Sequence, residues 1–169
     1  MLRVNRALVA DTTQYLANLT ANMLRSVGAK SVTTVTDSAA VLMELHKGSF
    51  EVMVIDDSLA PIDGVALTRQ IRAPDGGANR LMPIIMVFAE ASRERIEEAR
   101  DAGVTEFIKK PMSPKILESR ITQAIEKPRA FVEAEAYTGP DRRRREVSVT
   151  AEKRAPKADA PEPTEKPAA

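Results

Sequence analysis

Phe50-Glu51-Val52-Met53-Val54-Ile55-Asp56-Asp57-Ser58-Leu59-Ala60-Pro61-Ile62-Asp63-Gly64 changes character twice within a few positions. Val52–Ile55 is apolar on consecutive residues, the pattern of a strand covered on both faces rather than on one. Two carboxylates, Asp56 and Asp57, end the run. Val65, Leu67 and Ile71 then recur at helical spacing and stop before Pro74, as one face of a helix does. The segment therefore reads as a buried strand, an acidic rim and a covering helix.

The same unit extends in both directions. Upstream lie strand-like runs at Ala7–Ala10 and Val32–Val35. Between them Leu16, Leu19, Met23 and Val27 repeat at three to four residues, with Gly28 as a stop. A second helix follows Asp37, a plausible cap, and turns Val41, Leu42 and Leu45 inward. Downstream, Ile84–Val87 is a second continuous apolar run, and residues 73–82 before it form a loop rich in turn formers. Ser92 opens a fourth helix that Gly103 ends, and Glu106–Ile108 is the last strand. Ser113 caps a fifth helix with Pro114 at its first position, followed by Ile116, Leu117, Ile121 and Ile125. Five strands alternating with five helices predict right-handed crossovers and a parallel sheet. The expected fold is α/β, a doubly wound five-stranded parallel sheet.

Composition narrows the function classes. The 169 residues are 43% hydrophobic and 29% charged with a formal charge of +1, a balance typical of globular domains. Residues 1–127 carry equal numbers of acidic and basic side chains, which disfavours general nucleic-acid binding. The absence of cysteine excludes disulfides, iron–sulfur clusters and thiol catalysis, and His46, the single histidine, excludes a His-rich zinc site. His46 itself reads as a surface residue. The longest apolar run, Leu81 to Ala89, contains Pro83 and falls far short of the about 20 residues that a membrane helix needs. No signal peptide is evident at the start, so no membrane association and a cytoplasmic location are expected. After Lys127 the chain is rich in proline, alanine and charge, with Pro128, Pro140, Pro156, Pro161, Pro163 and Pro167. The expected division is a domain over 1–127 and a mostly disordered tail over 128–169, with Phe131, Val132 and Tyr137 as the residues able to dock on the body.

In parallel sheets, function gathers beyond the carboxyl ends of the strands. That rule selects Asp11 after the first strand, Asp56 and Asp57 after the third and Lys110 after the fifth. Carboxylates converging on one edge repel each other, a cost that a hard cation such as Mg²⁺ relieves. A nearby ammonium offsets further negative charge and can pair with an incoming phosphoryl group. The expectation is a small acidic pocket with a nucleophilic carboxylate. Asp11 could alternatively cap the first helix, although Thr12 and Thr13 are the more natural caps.

The stretch 50–64, together with Lys110-Pro111, resembles the receiver domain of two-component response regulators, over roughly residues 4–126. The resemblance implies a flavodoxin-like fold with strand order 2-1-3-4-5, the doubly wound order of that class. In this family the phosphorylated aspartate lies eight residues before the glycine of an Asp-Gly pair, which selects Asp56 over Asp57. By the same resemblance Lys110 pairs with the phosphorylated aspartate, and the Lys-Pro peptide is commonly cis. Asp11 and Asp56 hold Mg²⁺ together with the backbone carbonyl of Ser58, and Phe107 occupies the aromatic switch position. Residues 92–108 belong to the output face. The implied function is a response regulator receiver in a phosphorelay, not a turnover enzyme, that accepts a phosphoryl group on Asp56 from a sensor histidine kinase or phosphotransfer protein and signals to a downstream protein target by contact.

The departures from the family pattern lie at the site itself. Thr12 stands where a second acid is usual, which weakens the Mg²⁺ site, and Phe88 stands where a serine or threonine normally bonds the phosphoryl oxygen. Phenylalanine has no donor. The alternative reading is therefore a pseudo-receiver interaction module independent of phosphorylation. The string Tyr137-Thr138-Gly139-Pro140-Asp141-Arg142-Arg143-Arg144 and Arg145 after it resemble a C-terminal extension of some single-domain regulators. Four guanidinium groups can grip phosphates bidentately, so a cyclic-dinucleotide-responsive adaptor using Arg142, Arg143, Arg144 and Arg145 is a further alternative. A flavin protein or a phosphohydrolase on the same fold has no motif here beyond the fold.

Overall fold

The computed structural model describes residues 3–134 and 137–142. Five strands, β1 (Val4–Ala10), β2 (Ala29–Val35), β3 (Val52–Asp56), β4 (Ile84–Phe88) and β5 (Glu106–Lys109), form one parallel sheet in the order β2-β1-β3-β4-β5. The flavodoxin-like order expected from the sequence is the one observed. Five helices connect the strands: α1 (Gln14–Ser26), α2 (Ser38–Lys47), α3 (Gly64–Arg72), α4 (Arg93–Asp101) and α5 (Pro114–Glu126).

Side-chain alternation along each strand divides the interior into two cores. Val52 and Val54 face one way, with Val4, Ala7, Val9, Ile85, Val87 and Ile108, and meet Ala17 and Leu24 of α1 and Leu117 and Ile121 of α5. Met53 and Ile55 face the other way, with Leu8, Ile84, Met86 and Phe88, and meet Val41, Val65, Leu67, Ile71 and Ala99 of α2, α3 and α4. Both sheet faces are covered, which is why β3 and β4 read as unbroken apolar runs.

Every long helix begins on a side chain that accepts from the backbone three residues on, satisfying an amide the helix leaves orphaned. Thr13, Asp37, Asp63, Ser92 and Ser113 fill this role. Thr13, not Asp11, is therefore the cap of α1. The loop before β4 contains one turn of 3₁₀ helix and is pinned by buried Asn79. Its amide group donates to the carbonyls of Leu45 and Gly48, and its oxygen accepts from the Phe50 amide.

Beyond Lys127 the described chain continues against the body, at the residues Phe131, Val132 and Tyr137 that the sequence marks as able to dock, and residues 143–169 of the expected tail lie outside the described residues. Residues Phe131–Ala134 (β6) and Tyr137–Pro140 (β7) pair as an antiparallel hairpin. It seats on the α4–β5 turn, at the amino-terminal end of the sheet. The anchor is Arg72, 1% exposed at the end of α3. Its guanidinium donates to the carbonyls of Gly103 and Arg80 and to the Thr105 hydroxyl, and the Phe131 ring lies 5.9 Å away. Burial pulls its pKa down to about 10, which leaves it charged at neutral pH. Arg129 adds bonds to the carbonyls of Asp141 and Thr105, and Arg80 pairs with Glu133 at 2.9 Å.

The close seat depends on Gly103. Its φ of +96° lies where side chains are strained, and a Cβ there would come within 2.9 Å of the Thr138 carbonyl. Gly103→Ala is expected to cost about 1–3 kcal/mol, the range for a strained non-glycine backbone. Amide exchange across 131–140 should accelerate more than across β1–β5, as hydrogen-exchange mass spectrometry would register.

Candidate functional site

Three strand ends converge at the carboxyl edge of the sheet. β1 delivers Asp11, β3 delivers Asp56 as its last residue, and β5 delivers Lys110. Asp11 and Asp56 are buried, at 4% and 3% exposure. The Lys110 ammonium bridges them: it donates to Asp11 Oδ2 at 3.1 Å and to Asp56 Oδ2 in a still closer contact. The other Asp56 oxygen accepts from the Ser58 amide at 2.9 Å and from the Ser58 hydroxyl. Residues distant in sequence thus meet in one pocket, as the sheet-edge rule anticipates. The Lys110-Pro111 peptide is cis, as is Ala60-Pro61.

Gly64 explains part of the spacing. A Cβ on it would lie 2.7 Å from the Asp56 carbonyl, and its amide donates to the Asp57 carbonyl at 3.0 Å. The turn after β3 therefore folds back tightly on the residue carrying the acid, and only a hydrogen fits there.

Burial pushes the Asp56 carboxyl up, but the bonds from Lys110 and Ser58 more than reverse this and hold it below its ordinary value. Burial likewise disfavours the Lys110 ammonium, and Asp56 and Asp11 more than restore it, so its pKa lies above the usual lysine value. Asp57 behaves differently. Burial and the charge of Asp56 raise it, and Arg95 offsets this only in part. The two neighbouring carboxylates are pushed apart, Asp56 downward and Asp57 upward.

Oxygen ligands suit a hard cation that retains several waters, and the carboxylates of Asp11 and Asp56 with the Ser58 carbonyl supply that chemistry. Thr12 contributes no carboxylate; its hydroxyl donates to Asp11 Oδ1 at 3.4 Å. Among the described residues no group of three or more acidic, histidine or cysteine side chains is arranged to hold a metal. Two carboxylates and a carbonyl would give Mg²⁺ fewer protein ligands than a full acidic triad provides.

At the end of β4 the Phe88 ring is buried, 1% exposed, and lies 6.2 Å from the half-buried Phe107 ring at a 40° tilt. The position offers hydrocarbon and no donor. Arg142 pairs with Asp101 at 3.2 Å and covers the Tyr137 ring at 3.9 Å; Arg143, Arg144 and Arg145 lie outside the described residues.

Comparison with known proteins agrees with this geometry. The family profile described as the response regulator receiver domain matches residues 7–122. The chain belongs to the response regulator receiver family. The receiver is 30% identical over 122 residues to the chemotaxis protein CheY of Pseudomonas aeruginosa, covering 72% of this chain and 97% of that one. It is equally similar to chemotaxis protein CheY-3 of Vibrio cholerae, covering 92% of it. Among solved structures, the receiver domain of the sensor histidine kinase PA1611 from P. aeruginosa, which has a magnesium ion coordinated in its active-site cleft, superposes with a TM-score of 0.65 at 27% identity. That match covers 73% of this chain and 99% of the other. Receiver function in phosphorelay signalling follows from the family, and receivers accept a phosphoryl group without being turnover enzymes. The hairpin lies beyond the matched segment. Among the described residues no helix of the receiver is long and apolar enough to cross a membrane.

One residue at the site went unnoticed in the sequence. Arg95, in the first turn of α4, reaches the Asp57 carboxylate at 3.5 Å, the Asp57 carbonyl at 3.2 Å and the Asp63 carboxylate at 3.3 Å. Nothing in the charged string Arg93-Glu94-Arg95 marks its second arginine out.

Proposed function

We propose that Asp56 is the phosphoryl acceptor and that Lys110 is its charge partner. The observation that carries this reading is the Lys110 ammonium bridging two buried carboxylates, Asp11 and Asp56, from three separate strands. A carboxylate held ionised by such contacts is a competent nucleophile at neutral pH. The Asp56 oxygen attacks phosphorus in line and an O–P bond forms. The P–N bond of a donor phosphohistidine breaks, and its electron pair returns to the imidazole, which takes up a proton from solvent. Lys110 compensates charge on the phosphoryl oxygens, and positioning supplies most of the remainder. Asp11, Asp56 and the Ser58 carbonyl would hold Mg²⁺, which would supply further charge neutralisation at the phosphoryl group. The magnesium seen in the related PA1611 receiver supports this assignment.

The donor is a sensor histidine kinase or a phosphotransfer protein, and output passes to a downstream protein through the surface that includes α4 and β5. Incubation with a small-molecule phosphodonor and Mg²⁺, followed by intact mass, tests the assignment. The wild type and Asp57→Asn should gain the mass of one phosphoryl group, and Asp56→Asn should gain none. Phe88, buried and without a donor, favours a second reading, an interaction module that works without phosphate. A wild type that stays unlabelled would select it.

A further inference from the structure

We infer that Arg95 is the charge-sensing residue of this receiver, a positioning residue that couples the charge at Asp56 to α4 through Asp57; the inference rests on Asp56 as the phosphoryl acceptor. Three observations converge. The first is reach. Arg95 is the third residue of α4, yet its guanidinium spans to the β3–α3 turn and grips the residue that follows the acceptor. Nη2 donates to the Asp57 carbonyl at 3.2 Å, and the same oxygen accepts from the Gly64 amide at 3.0 Å. The second is exclusivity at the neighbouring element. β4 ends beside Asp56, pairing Asp56 with Val87, and the next residue, Phe88, presents only a buried ring. No hydroxyl there can take up a phosphoryl oxygen.

The third is divided allegiance. Besides Asp57, the guanidinium is shared with Asp63 at 3.3 Å and with Glu98 of its own helix at 3.1 Å. Lys110 is already committed to both Asp11 and Asp56. Phosphorylation brings the acceptor to about two negative charges. The added field falls first on the cation that is still distributed among several partners. Arg95 shifts toward Asp57 and away from Glu98, and because its backbone belongs to the first turn of α4, the helix moves with it. Fixed charge and a planar fork make arginine suited to holding a carbonyl and carboxylates at once, which an ammonium does less well.

The full-length chain, labelled for amide spectroscopy, tests this with beryllofluoride and Mg²⁺ as the phosphoryl mimic. In the wild type, shifts should appear around Asp56 and Lys110 and extend along residues 93–101. In Arg95→Gln the shifts around Asp56 and Lys110 should persist while those in 93–101 are lost, and Arg95→Lys should restore them only in part. Asp57→Asn should mimic Arg95→Gln. Shifts along α4 of wild-type size in Arg95→Gln would overturn the inference. A wild type with no shifts at Asp56 or Lys110 would instead overturn the acceptor assignment, and the sensing role would fall with it. Spectra of the variants without the mimic should match the wild type away from the substituted residue, which separates lost coupling from lost folding.

Discussion

Lys110→Met should invert the acid response of the receiver's stability. In the wild type Asp56 is held below its ordinary carboxyl value, so the unfolded chain binds the proton more readily. Stability from this group is complete above the ordinary value, near 3.8, and is lost as pH falls through the lower folded value. Without the ammonium, burial is opposed only by Ser58, and Asp11 adds repulsion, so Asp56 rises above 3.8. The sign then reverses: the native state holds the proton longer, and stability falls as pH climbs through the raised value. At neutral pH two buried carboxylates face each other without their cation. Breaking a buried pair in this way costs about 3–5 kcal/mol. With a quarter of the Lys110 side chain open to solvent, roughly 2–4 kcal/mol is expected here. Urea melts at roughly pH 3, below the ordinary carboxyl value, and at pH 7 decide the matter. The wild type should be less stable at the acid point and the variant relatively more so; parallel profiles would show that Lys110 is not the compensating charge.

Phe88→Ala should lower stability by about 3–5 kcal/mol, the range for deleting a buried phenyl group and leaving a cavity. The ring is 1% exposed within the core formed by Met86, Ile55 and Val65, so the surrounding side chains have little room to collapse into the space. Phe107 is the exception. Its ring sits beside Phe88 and is only half-buried, and it can turn inward to recover part of the loss. The midpoint of a denaturant melt measures the cost, and the Phe107 ring resonances measure the inward turn. A loss below about 1 kcal/mol, the scale of a trivial core change, would mean that the ring is not a packed component of the fold.

The sheet was legible in the sequence because its strands are buried on both faces. Val52–Ile55 and Ile84–Val87 had to be apolar throughout, and the observed strands differ from those runs only by extending to Asp56 and Phe88. The caps were legible at Asp37, Ser92 and Ser113 because a cap is a local contact over three residues. The sheet-edge rule selected Asp11, Asp56, Asp57 and Lys110, and the family resemblance chose Asp56 over Asp57. β1 and β2 were read short at their starts, since Val4–Arg6 and Ala29–Ser31 mix polar and apolar residues at the amino-terminal ends of the strands. The hairpin was missed as an element for a different reason. Its anchors are Arg72 and Arg80, which approach it from distant elements and leave no periodic trace, together with Arg129 just ahead of β6. Only the paired β-formers Phe131-Val132 and Tyr137-Thr138 hinted at it. Arg95 was invisible on the same ground, because its meaning depends on a turn 38 residues away.

The location of the hairpin gives the molecule two working poles. Asp56 and Lys110 open at the carboxyl end of the strands, whereas β7 leads the chain to Arg142 beside Asp101, at the other end of α4. A donor protein that reaches Asp56 at one pole need not cover the hairpin at the other, and α4 is the shaft between them. Shortening the chain at Lys127 would strip the cover from Arg72 and damage the body as well as removing the segment beyond Arg142; a cut after Arg142 separates the two.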